Sequence, residues 1–365
     1  MGFTCGLVGL PNVGKSTIFN ALTHAGAESA NYAFTTIEPN NGMVAVPDPR
    51  LDVIEKLVTA EKNVRTTLQF VDIAGLVKGA SKGEGLGNKF LGHIREVDAI
   101  AHVVRCFDDD NIPHVSNKID PISDIEVIHT ELMIADMETL ERRSFKLAKL
   151  AKSGNKEAQF EMGMIEKLLA ILNEGQPART LETQSEEEAR FVKSLTLITS
   201  KPVLYVCNIA DPSESENEHV TAVRKLAKEE GAGVVALVGK LEQEIMEMED
   251  PEEQKMFLEE MGFQETGLDR MIHAGYQLLD LVTYFTVGEK ENRAWTLKKN
   301  STAPEAAGVI HSDFEKGFIR AEVYNFDDLV KYKSEAAVKE AGKLRIEGKD
   351  YVFQDGDIAH FRFNV

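Results

Sequence analysis

The feature that most constrains this chain is a glycine-rich octapeptide close to its N-terminus. Residues 9–16 read Gly-Leu-Pro-Asn-Val-Gly-Lys-Ser and match the phosphate-binding pattern GxxxxGK[ST]. The apolar residues 3–8 predict a buried parallel strand, and residues 17–22 have helical periodicity. A loop between a strand and a helix presents backbone N–H groups and a helix N-terminus to phosphate oxygens. The sequence therefore predicts a nucleotide site in which Lys15 reaches the outer phosphates and Ser16 holds Mg²⁺.

Length, charge and hydropathy narrow the class of protein. The 365 residues allow two or three domains, and the net charge of -19 argues against a chain built wholesale for nucleic acid. We therefore expect no DNA partner, and any RNA contact must be local. No apolar run approaches the length of a transmembrane helix, which predicts a cytoplasmic protein without a membrane partner. Cys5, Cys106 and Cys207 each lie in an apolar run and are expected to be reduced core residues.

Two further segments resemble the switches of nucleotide-dependent proteins. The polar loop 32–40 carries Thr36, our candidate for a second Mg²⁺ ligand, with Thr35 as the next choice. Without the phosphate loop upstream, two threonines in a surface loop would be the simpler interpretation. Residues 72–75 read Asp-Ile-Ala-Gly after an apolar strand, so Asp72 is expected to act on the Mg²⁺ water shell and Gly75 on the terminal phosphate.

No glutamine is present where many GTPases orient the attacking water, because that position is Leu76. A leucine cannot activate water, so the catalytic group must come from elsewhere. The glycine-rich residues 78–88 that follow have the composition of a mobile switch. His114 lies in a polar loop after the apolar strand 99–107, at the sheet edge where ligands bind, and could position water. From the residues alone, a single loop histidine is more often without function.

The middle of the chain is predicted to be helical. A long helix is expected from residue 124 to 152, a second helix to residue 172 and a third from 185 to about 198, which together predict an antiparallel helical hairpin inserted into the nucleotide domain. Residues 142–156 contain six Lys and Arg and no acidic residue, so the hairpin tip is either an RNA-binding patch or an ordinary solvated helix face.

The chain then returns to the sheet pattern at the apolar strand 202–207. The residues after it occupy the slot of the base-reading NKxD motif of GTPases, with Ile209 in place of the lysine. Asn208 and Asp211 predict a base-reading loop without settling which base is read, and Gly239 is a plausible further contact to the base. Residues 282–365 read as a separate domain of short strands with one helix and carry no cluster of catalytic residues, which is typical of a binding module.

These segments together resemble the YchF (Obg-like ATPase) family of translation-factor-related P-loop proteins. The resemblance is carried by residues 9–17, by 72–80 and by the stretch from Thr302 to Arg320, and it covers essentially the whole chain. It implies an α/β P-loop NTPase G domain with a mainly parallel sheet, a coiled-coil insertion and a C-terminal ubiquitin-like TGS domain of the β-grasp type. It also implies hydrolysis of ATP in preference to GTP and association with ribosomes.

The resemblance also assigns roles to residues. It implies that His114 serves hydrolysis and that Asn12 supports a K⁺ ion, which would supply positive charge where other enzymes use an arginine finger. One departure is Asp211, since the family carries glutamate there and GTPases use aspartate to bind guanine. The expected nucleotide contacts are Asn12, Val13, Gly14, Lys15, Ser16, Thr17, Asn208, Ile209, Asp211 and Gly239.

The sequence thus predicts a ribosome-associated ATPase that acts as a conformational switch. The expected boundaries are residues 1–122 and 201–280 for the G domain, 123–200 for the insertion and 281–365 for the TGS domain. A GTP-specific switch and a non-catalytic RNA-binding adaptor are the alternatives. The expected catalytic residues are His114, Lys15 and Gly75, and the expected metal ligands are Ser16, Thr36 and Asp72.

Overall fold

The computed structural model describes residues 3–29, 41–73, 86–115, 118–248 and 250–364. Within these ranges the chain forms two six-stranded sheets. The strand before the phosphate loop lies inside the first sheet, and the second sheet is formed mainly by C-terminal residues.

The first sheet is built from the apolar runs that the sequence predicts as strands. The strands in this part of the chain are β1 (Thr4–Val8), β2 (Asn41–Ala45), β3 (Lys62–Val64), β4 (Thr67–Asp72), β5 (Ala99–Arg105), β6 (Val203–Asn208) and β7 (Gly233–Leu237). The order is β2-β4-β1-β5-β6-β7, and only the pairing of β2 with β4 is antiparallel. Strands β5 and β6 are buried along their whole length, as expected for parallel strands covered on both faces.

Helices cover this sheet because parallel strands need long crossover connections. Before the insertion, α1 (Lys15–Ser29) and α3 (Leu86–Glu96) pack on this sheet, whereas the buried side chains of α2 (Pro49–Leu57) lie in the core of the second sheet. The carboxyl ends of β1, β4, β5 and β6 therefore lie along one edge of the sheet, where open α/β sheets bind ligands.

The predicted helical insertion is present between β5 and β6. Its helices are α4 (Pro121–Lys152), α5 (Lys156–Asn173) and α6 (Glu186–Ser194). The side chains of Asp120 and Asn155 accept hydrogen bonds from the first turns of α4 and α5, which explains where the two helices begin. Gly154 has a φ of 88° at the hairpin turn, a backbone conformation that favours glycine. The insertion has its own core, which includes Leu140, Ile165 and Phe191.

A buried carboxylate fastens this insertion to the chain that returns to the sheet. Asp136 of α4 is 1% exposed and accepts hydrogen bonds from Ile198 N at 2.9 Å, Thr199 N at 2.7 Å and Thr199 Oγ1 at 2.7 Å. Burial raises the pKa of Asp136, and the three donors oppose that rise. These hydrogen bonds join α4 to the residues that lead into β6.

Further helices follow the insertion and precede the second sheet. They are α7 (Glu218–Glu230), α8 (Gly239–Met246), α9 (Pro251–Glu260) and α10 (Gly267–Leu278). Helix α7 ends at Gly231 in the left-handed conformation, as is common after a helix C-terminus. Helix α10 begins with a capping box formed by Thr266 and Asp269.

The C-terminal part forms the second sheet. Its elements are β8 (Leu281–Thr286), β9 (Glu291–Lys298), α11 (Ala303–Ile310), α12 (Ser312–Lys316), β10 (Phe318–Asn325), α13 (Phe326–Tyr332), α14 (Glu335–Glu340), β11 (Arg345–Glu347) and β12 (Asp357–Phe363). The order is β11-β10-β12-β8-β9-β3, with β12 parallel to β8. A β8–β9 hairpin, a helix and a parallel central pair form the β-grasp arrangement that the resemblance implies.

Several details of this part differ from the sequence-based expectation. Four helices form here where one was expected, and residues 349–353 make only an isolated bridge, from Val352 to Thr302, instead of a strand. Strand β3 pairs with β9, and Leu51 and Ile54 of α2 lie in the core of the second sheet. These early residues were assigned to the nucleotide domain because a pairing so distant in sequence leaves no local pattern.

The Asp136 anchor predicts a large loss of stability on truncation. Asp136→Ala leaves the three donors at Ile198 and Thr199 buried without an acceptor, so we expect a loss of about 3 kcal/mol in the free energy of unfolding. Urea unfolding followed by circular dichroism measures this change.

The matched control lies two residues further along the same helix. Glu138 is half exposed and pairs with the exposed Arg142, so Glu138→Ala should change the free energy of unfolding by less than about 0.5 kcal/mol. Equal effects of the two substitutions would show that the carboxylate of Asp136 is not an anchor.

Candidate functional site

The phosphate loop has the backbone conformation that its glycines predict. Asn12 has a φ of 65° and Gly14 a φ of 94°, both in the left-handed region. A Cβ on Gly14 would lie 2.2 Å from Nδ2 of Asn208, and one on Gly9 would lie 2.8 Å from the carbonyl oxygen of Val103. Gly14 is therefore required both for its conformation and for close approach, and Gly9 is required for close approach.

The structure brings together the two charged groups that the sequence assigns to the triphosphate and the metal. Helix α1 begins at Lys15, and Asp72 ends β4, which pairs with β1 in parallel register with Leu7 opposite Asp72. The ammonium of Lys15 and Oδ1 of Asp72 form an ion pair. Ser16 lies in the first turn of α1, beside that pair in sequence. A hydroxyl and a carboxylate are ligands that Mg²⁺ prefers, so this donor set fits the ion.

Asn208 holds the phosphate loop against the helix that follows β7. Its side chain is buried, with Nδ2 donating to the carbonyl oxygen of Val13 at 3.0 Å and Oδ1 accepting from Gly239 N at 3.0 Å. Both hydrogen bonds are to backbone, so the amide joins β6, the loop and α8 at one point. The residue predicted to read the base therefore has a positioning contact in this structure.

The other residues of the expected base-reading loop lie close by. Ile209 is buried and its N–H donates to Leu237 O at 3.0 Å, which continues the pairing of β6 with β7. Asp211 is exposed, and its Oδ1 accepts from Ser213 N at 2.9 Å and from Ser213 Oγ at 2.6 Å. These hydrogen bonds lower the pKa of Asp211 and cap a short turn at residues 212–214.

Sequence analysis missed the residue that shapes the loop carrying His114. Arg105, at the end of β5, is 1% exposed and donates to three carbonyl oxygens, of Phe107 at 3.1 Å, Asp109 at 3.0 Å and Ile112 at 2.9 Å. A buried guanidinium is costly unless all of its donors are satisfied, so the loop closes around it. The signal in the sequence is an arginine inside an otherwise apolar strand.

His114 lies where this loop meets the insertion. Its Nε2 is 2.9 Å from Oδ2 of Asp124, in the first turn of α4, and both side chains are buried. Burial raises the pKa of Asp124, and the neighbouring imidazole opposes that rise. A carboxylate at this distance fixes the orientation and tautomer of a histidine ring. Asn12 Nδ2 donates to Pro113 O at 3.2 Å and so connects the phosphate loop to the residue before His114.

Four residues of the sequence-based site lie outside the described part of the chain. They are Thr35, Thr36, Gly75 and Leu76. The described residues thus bring together the phosphate loop, Asp72, Asn208 and the loop of His114 along one edge of the first sheet.

The described residues contain no group of three or more His, Cys, Asp or Glu side chains arranged to hold a metal ion by themselves. Within the same ranges, no helix has both the length and the apolar character needed to cross a membrane. Cys5, Cys106 and Cys207 are buried free thiols, and burial raises the pKa of Cys5 to about 12, which makes it unreactive.

Comparison with known proteins agrees with this geometry. A family model described as "50S ribosome-binding GTPase" matches residues 4–135. The model YchF-GTPase_C, described as "Protein of unknown function (DUF933)", matches residues 281–364.

Full-length relatives are similar over the whole chain. Proteins named "Ribosome-binding ATPase YchF" from Bacillus subtilis and Haemophilus influenzae are 59% and 55% identical, with 100% of each chain covered. The structure titled "Structure of the Schizosaccharomyces pombe YchF GTPase" is 40% identical, with a TM-score of 0.89 over 99% of this chain and 98% of that one. A GTP-binding protein from Pyrococcus horikoshii, at 21% identity and a TM-score of 0.62 over 100% of both chains, shares the fold. The chain belongs to the YchF family of P-loop NTPases.

Proposed function

We propose that this protein is a ribosome-associated ATPase that uses nucleotide hydrolysis as a conformational switch. The observation that carries the proposal is the ion pair between Lys15 and Asp72 at the N-terminus of α1. A helix N-terminus at this edge of the sheet favours phosphate binding. The printed names of the full-length bacterial relatives support both ATP as substrate and the ribosome as partner. A P-loop site combined with a β-grasp domain and a helical hairpin suits a switch that reports its state to a large assembly.

Each residue of the site has a defined role in this proposal. Lys15 neutralises the charge of the β- and γ-phosphates, and the N–H groups of Val13, Gly14 and Thr17 belong to the loop and helix start that surround them. Bound Mg²⁺ would reduce the negative charge of the phosphates. Ser16 would hold this ion directly, and Asp72 would hold it through its water shell.

The sequence pattern adds two residues to the proposed nucleotide site. Thr36 is the additional metal ligand, and Gly75 donates its N–H to the terminal phosphate. Potassium is a second proposed cation. Because Nδ2 of Asn12 is directed to Pro113, the amide oxygen is the atom that would bind it.

His114 is proposed to position the attacking water. Asp124 holds its Nε2 and favours a fixed tautomer, and Arg105 fixes the loop on which it lies. Leu76 supplies no polar atom at the position where many GTPases have glutamine. The buried imidazole is therefore the best candidate for this role among the described residues.

The competing function is a GTP-specific switch, because Asp211 is the residue type that binds guanine in GTPases. Its Oδ1 is occupied by Ser213 N and Oγ, which supports a capping role for this carboxylate. Asn208 is committed to Val13 and Gly239, so backbone groups near Ile209 are the proposed readers of the adenine amino group.

The proposal predicts that Lys15 is required for turnover. Lys15→Ala removes the charge that neutralises the phosphates, so the rate of ATP hydrolysis should fall at least about 100-fold, roughly 2.7 kcal/mol. Phosphate release measures this rate, and Lys228→Ala on an exposed part of α7 is the control. Equal turnover in the two variants would remove the phosphate loop from the mechanism.

The proposal also predicts base preference. A non-hydrolysable ATP analogue should bind at least about tenfold tighter than the GTP analogue, about 1.4 kcal/mol, in calorimetric titrations with Mg²⁺ and K⁺. Asp211→Ala should leave this ratio unchanged within about twofold, because the carboxylate serves a turn. Tighter GTP binding that Asp211→Ala abolishes would establish the GTP-specific switch instead.

The pair formed by His114 and Asp124 predicts a split between affinity and turnover. His114→Ala should lower the rate of ATP hydrolysis about 100-fold, because general acid–base catalysis by a positioned side chain typically contributes 10²–10⁴ in rate. Asp124→Asn keeps the imidazole and removes only the carboxylate that orients it, so it should lower the rate about tenfold. Nucleotide affinity should stay within about threefold, since neither side chain lies on the phosphate loop.

The control for this pair is Asp110→Asn, an exposed carboxylate in the same loop. It should retain full turnover. If the affinity for the ATP analogue falls as much as the rate in His114→Ala, the histidine supports the shape of the site and does not position water.

A further inference from the structure

The end of the helical hairpin carries an exposed aromatic ring among cations. Phe145, in the second half of α4, is 86% exposed, and Leu150 is 53% exposed. Leu147 of the same helix still packs against the insertion core, so Phe145 and Leu150 are exposed because they lie on the side of α4 that this core does not cover. A phenylalanine that is this exposed does not contribute the free energy that its burial would provide. Such exposure favours a role in binding.

Helical geometry places the cations around this ring. At 100° per residue, Arg142, Lys146 and Lys149 fall on one line along α4, with Phe145 on one side of it and Leu150 on the other. All five side chains are exposed. We call these five residues the basic aromatic face.

Within the part of the chain that the structure describes, the lysines of this face have no charge partner. Among the described residues, no carboxylate lies within the 4.0 Å ion-pair distance of Lys146 or Lys149. Arg142 pairs with Glu138 at 3.5 Å on the exposed surface, while the neighbouring Arg143 is directed away, to Glu161 at 2.8 Å and over the ring of Phe191. The positive charge is therefore available to an outside partner.

This arrangement is unusual in a chain of net charge -19. Residues 142–156 contain six cations and no acid, so the local charge is opposite to that of the whole molecule. Such a patch attracts a polyanion locally while the rest of the surface repels it. A helix of 32 residues is about 48 Å long, which carries this face well away from the sheet.

We propose that the basic aromatic face binds RNA at a segment with unpaired bases. This inference rests on the proposed function, because it names the element that contacts ribosomal RNA. Arg142, Lys146 and Lys149 contact successive phosphates, and a base stacks on the ring of Phe145. Aromatic rings beside a cationic track are the usual platform for unpaired bases, because every base has a stacking surface. Regular RNA duplexes offer no such surface to a ring, so unpaired bases are preferred.

The test compares two labelled RNAs in fluorescence anisotropy with the full-length protein. One is a stem-loop with unpaired adenosines, and the other is the same stem closed as a duplex. The wild type should bind the stem-loop more tightly, and Phe145→Ala should weaken that binding about tenfold without changing duplex binding. Phe145→Leu should lose most of the same affinity, because it keeps apolar area but has no ring.

The charge contribution is tested through salt dependence. Lys146→Gln combined with Lys149→Gln should reduce the slope of log K against log salt by roughly 1.4, since each phosphate contact on a single strand contributes about 0.7. Matched controls are Met256→Ala, at a 69% exposed side chain on α9, and Lys225→Gln with Lys228→Gln, exposed at the same spacing on α7. All controls should match the wild type.

Ribosome cosedimentation and ATP turnover separate this proposal from the proposed function. Unchanged stem-loop affinity in Phe145→Ala, full affinity in Phe145→Leu, or no binding of the stem-loop by the wild type would each overturn RNA recognition by this face. If the variants lose ribosome binding but keep stem-loop affinity, the face contacts a protein, and RNA recognition is likewise overturned. If the wild type binds the stem-loop as expected but does not cosediment with ribosomes, the RNA face stands and the proposed ribosome association fails.

Discussion

The parallel pairing of β1 with β4 is the constraint on which the site depends. Two parallel strands end at the same edge of a sheet, so the loop and helix start that follow β1 lie next to the last residue of β4, although 57 positions separate Lys15 from Asp72. Lys15 and Asp72 meet for this reason and form an ion pair. Helix α1 starts at the same place and adds the partial positive charge of its N-terminus. Phosphate recognition is thus a consequence of sheet topology.

Buried polar side chains then fix the loops along that edge. Asn208 connects two backbone segments through both ends of its amide, and Arg105 draws three carbonyl oxygens around its guanidinium. Each of these groups would be costly to bury without its partners, so the loops have few alternative positions. The position of His114 follows from this arrangement, and Asp124 of the helical insertion holds its ring. A change in the conformation of the His114 loop would therefore displace the N-terminus of α4.

This connection gives the proposed switch a physical route. Helix α4 begins beside His114, is anchored by Asp136 near β6 and ends at the basic aromatic face. A single rigid helix can carry a small rotation at its root to a larger displacement at its tip. Helix α4 thus connects the phosphate site to the surface proposed for RNA. The second sheet has its own connection, because β3 pairs with β9 and side chains of α2 lie in the core of that sheet.

The sequence by itself determined the phosphate loop, the four central strands of the first sheet and the helical hairpin. These features have local signals, namely a fixed motif, continuous apolar runs and helical periodicity. The resemblance to the YchF family, carried by residues 9–17, 72–80 and 302–320, correctly gave the family and the β-grasp arrangement.

Only the tertiary structure decided the contacts between distant residues. The pairing of His114 with Asp124, the two backbone contacts of Asn208 and the capping role of Asp211 depend on how loops approach one another, and a sequence pattern does not encode that geometry. The pairing of β3 with β9 was missed for the same reason. The exposure of Phe145 also required the structure, because helical periodicity alone does not tell which apolar side chains a core covers.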